Sequence, residues 1–104
     1  MAATRRVAVD AYVLDTLMPD LVGHDRRPSA FLVYLFLWAR SDAANGRAAL
    51  ASQREIAEGT GLSKRAVQDA LALLARRKLV ASTRASLTAV PEYSVLRPWA
   101  RRNA

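Results

Sequence analysis

The sequence predicts a mainly α-helical domain with one small β-hairpin, organised as a three-helix core plus an N-terminal helical extension. Three observations carry this. Residues 50–79 read as two helices joined by a short turn with glycines at 59 and 61. Residues 31–38 are apolar almost all the way round, the pattern of a buried helix rather than one with a wet face. Residues 79–83 and 93–96 are β-compatible, and the loop between them is rich in serine, threonine and alanine with one proline.

Taken from the N-terminus, residues 1–6 read as a tail in which Arg5 and Arg6 have no assigned role. Val9, Tyr12, Val13 and Leu17 suit a short helix capped by Asp10, and residues 19–23 suit a further helical turn before a loop over 24–27. Aspartates at 10, 15, 20 and 25 recur every five residues, a spacing that matches neither a helix face nor a known cation loop. His24 is the only histidine and has no ligand set beside it, so no metal is expected. Pro28 fits the first turn of a helix, where its missing donor is not needed. That helix is expected to run to about residue 44, with Asn45 and Gly46 as a left-handed stop. Leu32, Leu35 and Ala39, with Phe31 or Phe36, are expected to face the helix pair that follows. The remaining apolar side must be covered by residues 9–22, by a second subunit, or by both. Tyr12, Leu17, Phe31, Tyr34, Leu37 and Trp38 are therefore the candidate homodimer interface. Residues 47–50 form a short extended lead into the helix pair.

The helix pair has its own punctuation. Ser52 can accept from the amide of Glu55 while Glu55 reaches back, a reciprocal capping box. Ile56 and Ala57 supply the inward face, Gly59 and Gly61 offer positive φ for the turn, and Leu62 plugs the corner. Ser63 caps a second helix running from Lys64 to about residue 78. Val67, Ala70, Leu71 and Leu74 form its inward stripe, which leaves Lys64, Arg65, Gln68, Asp69 and Ala72 on a face without packing duty. A plain helical hairpin in a small bundle is the simplest alternative.

Composition narrows the function. A 104-residue chain buries roughly two thirds of its unfolded surface, enough for one core. Cysteine is absent, which removes disulfides and thiolate metal sites and fits a reducing cytoplasm. The longest apolar run, residues 30–39, is about half of what a bilayer span needs, and Asp10 and Asp15 interrupt any signal-peptide pattern, so a cytoplasmic protein without a membrane partner is expected. The net charge of +7 is unevenly placed. Residues 1–45 carry five arginines against five aspartates, whereas residues 46–104 carry eleven basic and four acidic side chains. Such asymmetry is the footprint of a polyanion binder. No catalytic constellation is present: there is one histidine, no cysteine, no phosphate-binding glycine loop and no paired acids, so no enzyme activity, cofactor or small-molecule ligand is expected.

The ordered set Ile56, Ala57, Gly61, Leu62, Val67, Ala70 is similar to the helix-turn-helix of bacterial DNA-binding proteins. With EIAEGTGLSKRAVQDALALLARRKLV and the following hairpin, residues 28–97 resemble the winged helix-turn-helix superfamily. Residues 1–27 then form an N-terminal extension and 98–104 a basic tail with Arg101 and Arg102, Trp99 folding back on the core. The resemblance implies sequence-specific binding of double-stranded DNA by a dimeric bacterial transcriptional regulator, with helix 63–78 in the major groove and wing 79–96 on the backbone or minor groove. Lys64, Arg65, Gln68 and Asp69 would read bases, Arg65 on guanine and Gln68 on adenine, with Asp69 orienting Arg65. Ser52, Gln53, Arg54, Ser63, Arg76 and Arg84 would hold the backbone, and Arg77 would extend the basic face or cover the core with its stem. The alternatives are a replication or partition initiator of plasmid or phage type, or a winged helix used for protein contacts.

Overall fold

A computed structural model describes residues 4–100. Its elements are a helical segment over residues 11–24 with π-helical turns at Val13–Leu17 and Asp20–His24, then α1 (Pro28–Ala43), β1 (Ala49–Leu50), α2 (Gln53–Thr60), α3 (Lys64–Arg76), β2 (Val80–Thr83) and β3 (Glu92–Val95). The three strands form one antiparallel sheet in the order β1-β3-β2, with Ala49 opposite Tyr93 and Val80 opposite Val95. The hairpin is thus joined by the short extended lead at residues 49–50. This is a mainly α fold with a small sheet, compatible with a winged helix-turn-helix.

Local chemistry sets most of the boundaries. Pro28 opens α1, and Asn45 and Gly46 at φ 59° and 83° end its last turn in the left-handed region. Gly61 at φ 78° ends α2. Lys78, with φ 57°, performs the same task after α3 without being glycine. Gly59 has a different reason for being glycine than the turn: it is helical, and a Cβ built there would lie 2.2 Å from the Phe36 ring. It lets α1 approach α2 closely.

α1 is the axis of the core. Tyr34 is fully buried, and its hydroxyl donates to the Leu96 carbonyl at 2.9 Å, tying the helix to the end of β3. Trp38 donates from Nε1 to the Ala8 carbonyl at 2.9 Å, and the Arg97 guanidinium lies 4.5 Å over its ring. The helical segment over 11–24 covers much of what remains. Its buried side chains Val13, Leu17 and Leu21 recur every four residues, a step between those of an α-helix and a π-helix. The widened turns keep all three on one line, and each buried aliphatic contributes about 1.5–3 kcal/mol.

This arrangement corrects the expected dimer interface. Leu17, Phe31, Tyr34, Leu37 and Trp38 are buried within the chain itself: of the two covers expected, residues 9–22 or a second subunit, the N-terminal segment is the one that joins this core. Tyr12 keeps an exposed edge but stacks on Trp99 at 4.6 Å. Trp99 folds back as expected, and its Nε1 donates to Asp10 at 3.1 Å. Asp10 is therefore engaged by the C-terminal indole instead of capping the helix. Arg5 is likewise not idle: it donates to the Ala39 carbonyl and to Asp42, each at 3.1 Å. Leu32, expected to pack inward, is 43% exposed. Arg101 and Arg102 lie outside the described residues.

Candidate nucleic-acid interface

The two helix starts are built by their caps. The Ser52 hydroxyl accepts from the Glu55 amide at 3.0 Å, and the Ser52 amide donates to Glu55 Oε1 at 2.9 Å, completing the capping box. That backbone donor holds the Glu55 carboxyl below its ordinary pKa. Ser63 accepts from the Ala66 amide at 3.0 Å and opens α3. The first-turn amides of such helices lack intrahelical partners and favour anions.

Ser52, Gln53, Arg54, Lys64 and Arg84 line one notch of about 310 Å³ where α2, the start of α3 and the wing loop converge. Arg84 donates to the Leu87 carbonyl at 3.2 Å, bracing that loop. A second groove of about 430 Å³ runs between Leu71, Ala72 and Ala75 of α3 and Ser82 and Arg84 of the hairpin. Gln68 Nε2 donates to Gln53 Oε1 at 3.1 Å, so the two amides hold the outer faces of α2 and α3 together.

On the other flank of α3, Arg65 Nε is 3.9 Å from Asp69, and Arg27 is 3.8 Å from the same carboxylate oxygen. Neither contact is within hydrogen-bond distance. Arg54 pairs with Glu58 at 3.3 Å. Arg76 is exposed near the end of α3 and lines neither hollow. The structure thus gathers Ser52, Gln53, Arg54, Lys64 and Arg84 in the notch and links Gln68 to them. Arg65 and Asp69 stand on the opposite flank, and Ser63 stays a cap.

Arg77 belongs elsewhere. Its two guanidinium nitrogens donate to Asp20 and Asp25, raising its own pKa, and the pairing ties α3 to the N-terminal segment. The hydrogen bond with the His24 ring, and then the charge of Arg77, hold the Asp25 carboxyl below its usual range. Asp20, His24 and Asp25 present their ligand atoms within 4.8 Å of one another. The guanidinium already supplies the positive charge there. Arg27 joins Asp69 beside the exposed face only through tertiary folding, which leaves no local signal in the sequence.

Among the described residues no charged side chain is buried. Burial raises the Tyr34 hydroxyl above its ordinary pKa, but that hydroxyl sits in the core and donates to the Leu96 carbonyl. The exposed face of α3 and its two flanks present solvent-facing donors: guanidinium, ammonium, amide and hydroxyl groups.

A family model described as "Helix-turn-helix domain" matches residues 27–80, more than half of the 104. The chain belongs to that helix-turn-helix domain family. The match opens at Arg27, includes α1, α2 and α3, and ends at the first residue of β2. Comparison with curated proteins and with solved structures returns no match. A helix-turn-helix domain points to DNA binding, the chemistry for which the exposed face of α3 carries donors. No helix among the described residues is long and apolar enough to cross a membrane.

Proposed function

We propose that this protein is a sequence-specific double-stranded DNA-binding protein that regulates transcription, with α3 in the major groove. The observation that carries the reading is the outer face of α3. Lys64, Arg65 and Gln68 are exposed on it, inside the family-matched residues, and it adjoins the notch that gathers Arg54, Lys64 and Arg84. Arg65 matches the O6 and N7 acceptors of guanine, and Gln68 matches the N6 and N7 pair of adenine. The Gln68 amide can keep one N–H on Gln53 Oε1 while its other N–H and its Oε1 meet the adenine, so Gln53 orients it for the base. Ser52, Ser63, Arg54 and Arg84 supply backbone contacts, and Arg76 extends them along the helix.

The same reading includes a homodimer, which would set two copies of α3 on one duplex. Its surface is the outward stripe Leu14, Met18 and Val22, which repeats the four-residue step of the buried stripe and stays exposed. Light scattering at tens of micromolar is expected to give twice the chain mass; monomer alone removes the dimer from the proposal.

The test of DNA binding is fluorescence anisotropy of the protein against a mixed-sequence duplex across a salt series. Affinity is expected to fall with salt with a log–log slope of about −0.9 per phosphate contact. Selection from a random duplex pool should then return one enriched motif. Absent or salt-insensitive binding would overturn the reading.

A further inference from the structure

We infer that Arg27, carried by the turn before α1, is a DNA-backbone contact that clamps the recognition helix from the side opposite the wing, and that Asp69 holds it in reserve. The inference rests on the DNA-binding reading above and adds a contact to it.

The geometry comes from what borders α3. One flank carries Leu71 and Ala75, which face the hairpin and Arg84. The other carries Asp69 and, eight residues on, Arg77, a separation of about 12 Å along a helix. Arg77 is clamped by Asp20 and Asp25, and Arg27 reaches Asp69, so the turn runs lengthwise beside this flank. Its backbone is fixed. The Arg27 amide donates to the Leu21 carbonyl at 2.8 Å, the Asp25 amide donates to the Asp20 carbonyl at 2.9 Å, and Arg26 takes φ 53° to make the reversal.

The side chain at the end of this rigid turn is not fixed. Arg27 is 46% exposed and Asp69 47%, and their 3.8 Å approach is an ion pair without a hydrogen bond. Arg65 is held as loosely on the same oxygen, at 3.9 Å. One carboxylate therefore stands between two guanidiniums and locks neither. A helix in the major groove has a phosphate strand on each side, and the groove is about 12 Å wide. With Arg84 on the wing flank, the opposite strand needs a cation from the other flank, and Arg27 is the residue the fold delivers there. A phosphate draws Arg27 and a base draws Arg65, and Asp69 releases both.

The experiment uses the full chain and the same mixed-sequence duplex across a salt series. Arg27→Ala is expected to make the log–log slope shallower by about 0.9, the loss of one phosphate contact. Its melting temperature should stay near that of the parent. Arg27→Lys, which keeps the charge, should restore the slope. Asp69→Asn should tighten binding at fixed salt at least twofold by freeing both arginines. If the parent chain binds with a steep slope and Arg27→Ala leaves that slope unchanged, or Asp69→Asn weakens mixed-sequence binding, the Arg27 contact is refuted while DNA binding stands. If the parent chain does not bind the duplex, DNA binding fails, and this contact fails with it.

Discussion

Arg65 and Arg77 lie on one face-to-flank sweep of α3 and its C-terminal cap, and each has carboxylates as neighbours, yet the fold treats them differently. The Arg77 side chain is 33% exposed and donates to two acids brought from the N-terminal segment. Arg65 is 86% exposed and stands 3.9 Å from a single acid that it shares with Arg27. A guanidinium with two hydrogen-bonded carboxylates has its donors used and its rotamer set, so it joins elements of the fold. One with a distant, shared carboxylate keeps its donors for another acceptor. Residue type and sequence position do not separate these roles; the partner does.

The largest effect that tests this contrast is on stability. Arg77→Ala leaves the largely covered Asp20 and Asp25 carboxylates without that guanidinium and is expected to lower stability by about 2 kcal/mol, a fall of roughly 10 °C in Tm by calorimetry. Arg65→Ala should move Tm by no more than a few degrees, since an exposed pair contributes about 0.2–1 kcal/mol at most. Equal losses in the two variants would erase the distinction.

Gly59 and Gly61 sharpen the same lesson, because Gly59 is required by what lies opposite it and Gly61 by its own backbone conformation. Gly59→Ala drives a Cβ into the Phe36 ring and is expected to lose about 1–3 kcal/mol by overpacking. Phe36→Ala should recover part of that loss in a double-mutant cycle. Gly61→Ala meets no neighbour and is strained only by its φ of 78°, a loss of about 1–2 kcal/mol that Phe36→Ala cannot relieve.

Acid provides a smaller and continuous probe. The folded pKa of Asp25 lies below its unfolded value, chiefly through the hydrogen bond with His24 and then through Arg77. Its contribution is thus complete above the unfolded value, about 3.9, and is lost as pH falls through the folded one. Glu55 has the same sign. Thermal melts between pH 6 and pH 2.5 should show Tm falling at the acid end, with a weaker fall in Asp25→Asn. A Tm that rose on acidification would contradict the pairing.

The core of the helix-turn-helix was legible because its signals are local. Ser52 with Glu55, Ser63, Gly61 and Val67, Ala70 and Leu74 of the inward stripe each act within a turn or two of chain, and each is found in its expected place. Leu71, expected on that stripe, is only partly buried and borders the groove beside the hairpin. The N-terminal segment was not legible in the same way. Its buried residues step by four, between the periods sought for helix and strand, and the five-residue spacing of Asp20 and Asp25 gains meaning only on a π-helical turn with Arg77 across from it. For the same reason the apolar surface of α1 looked like a subunit interface: the sequence shows that Phe31, Tyr34, Leu37 and Trp38 must be covered but not by what. The exposed face of α3 followed from periodicity, whereas Arg27 beside it is a product of packing.

The most direct measurement of the central proposal is a two-dimensional amide NMR titration of the full chain with duplex DNA. Perturbations are expected at Lys64, Arg65, Gln68, Arg84 and Arg27, with Val13, Leu17 and Arg77 unmoved. Perturbations confined to the outward stripe of Leu14, Met18 and Val22, with α3 silent, would contradict it.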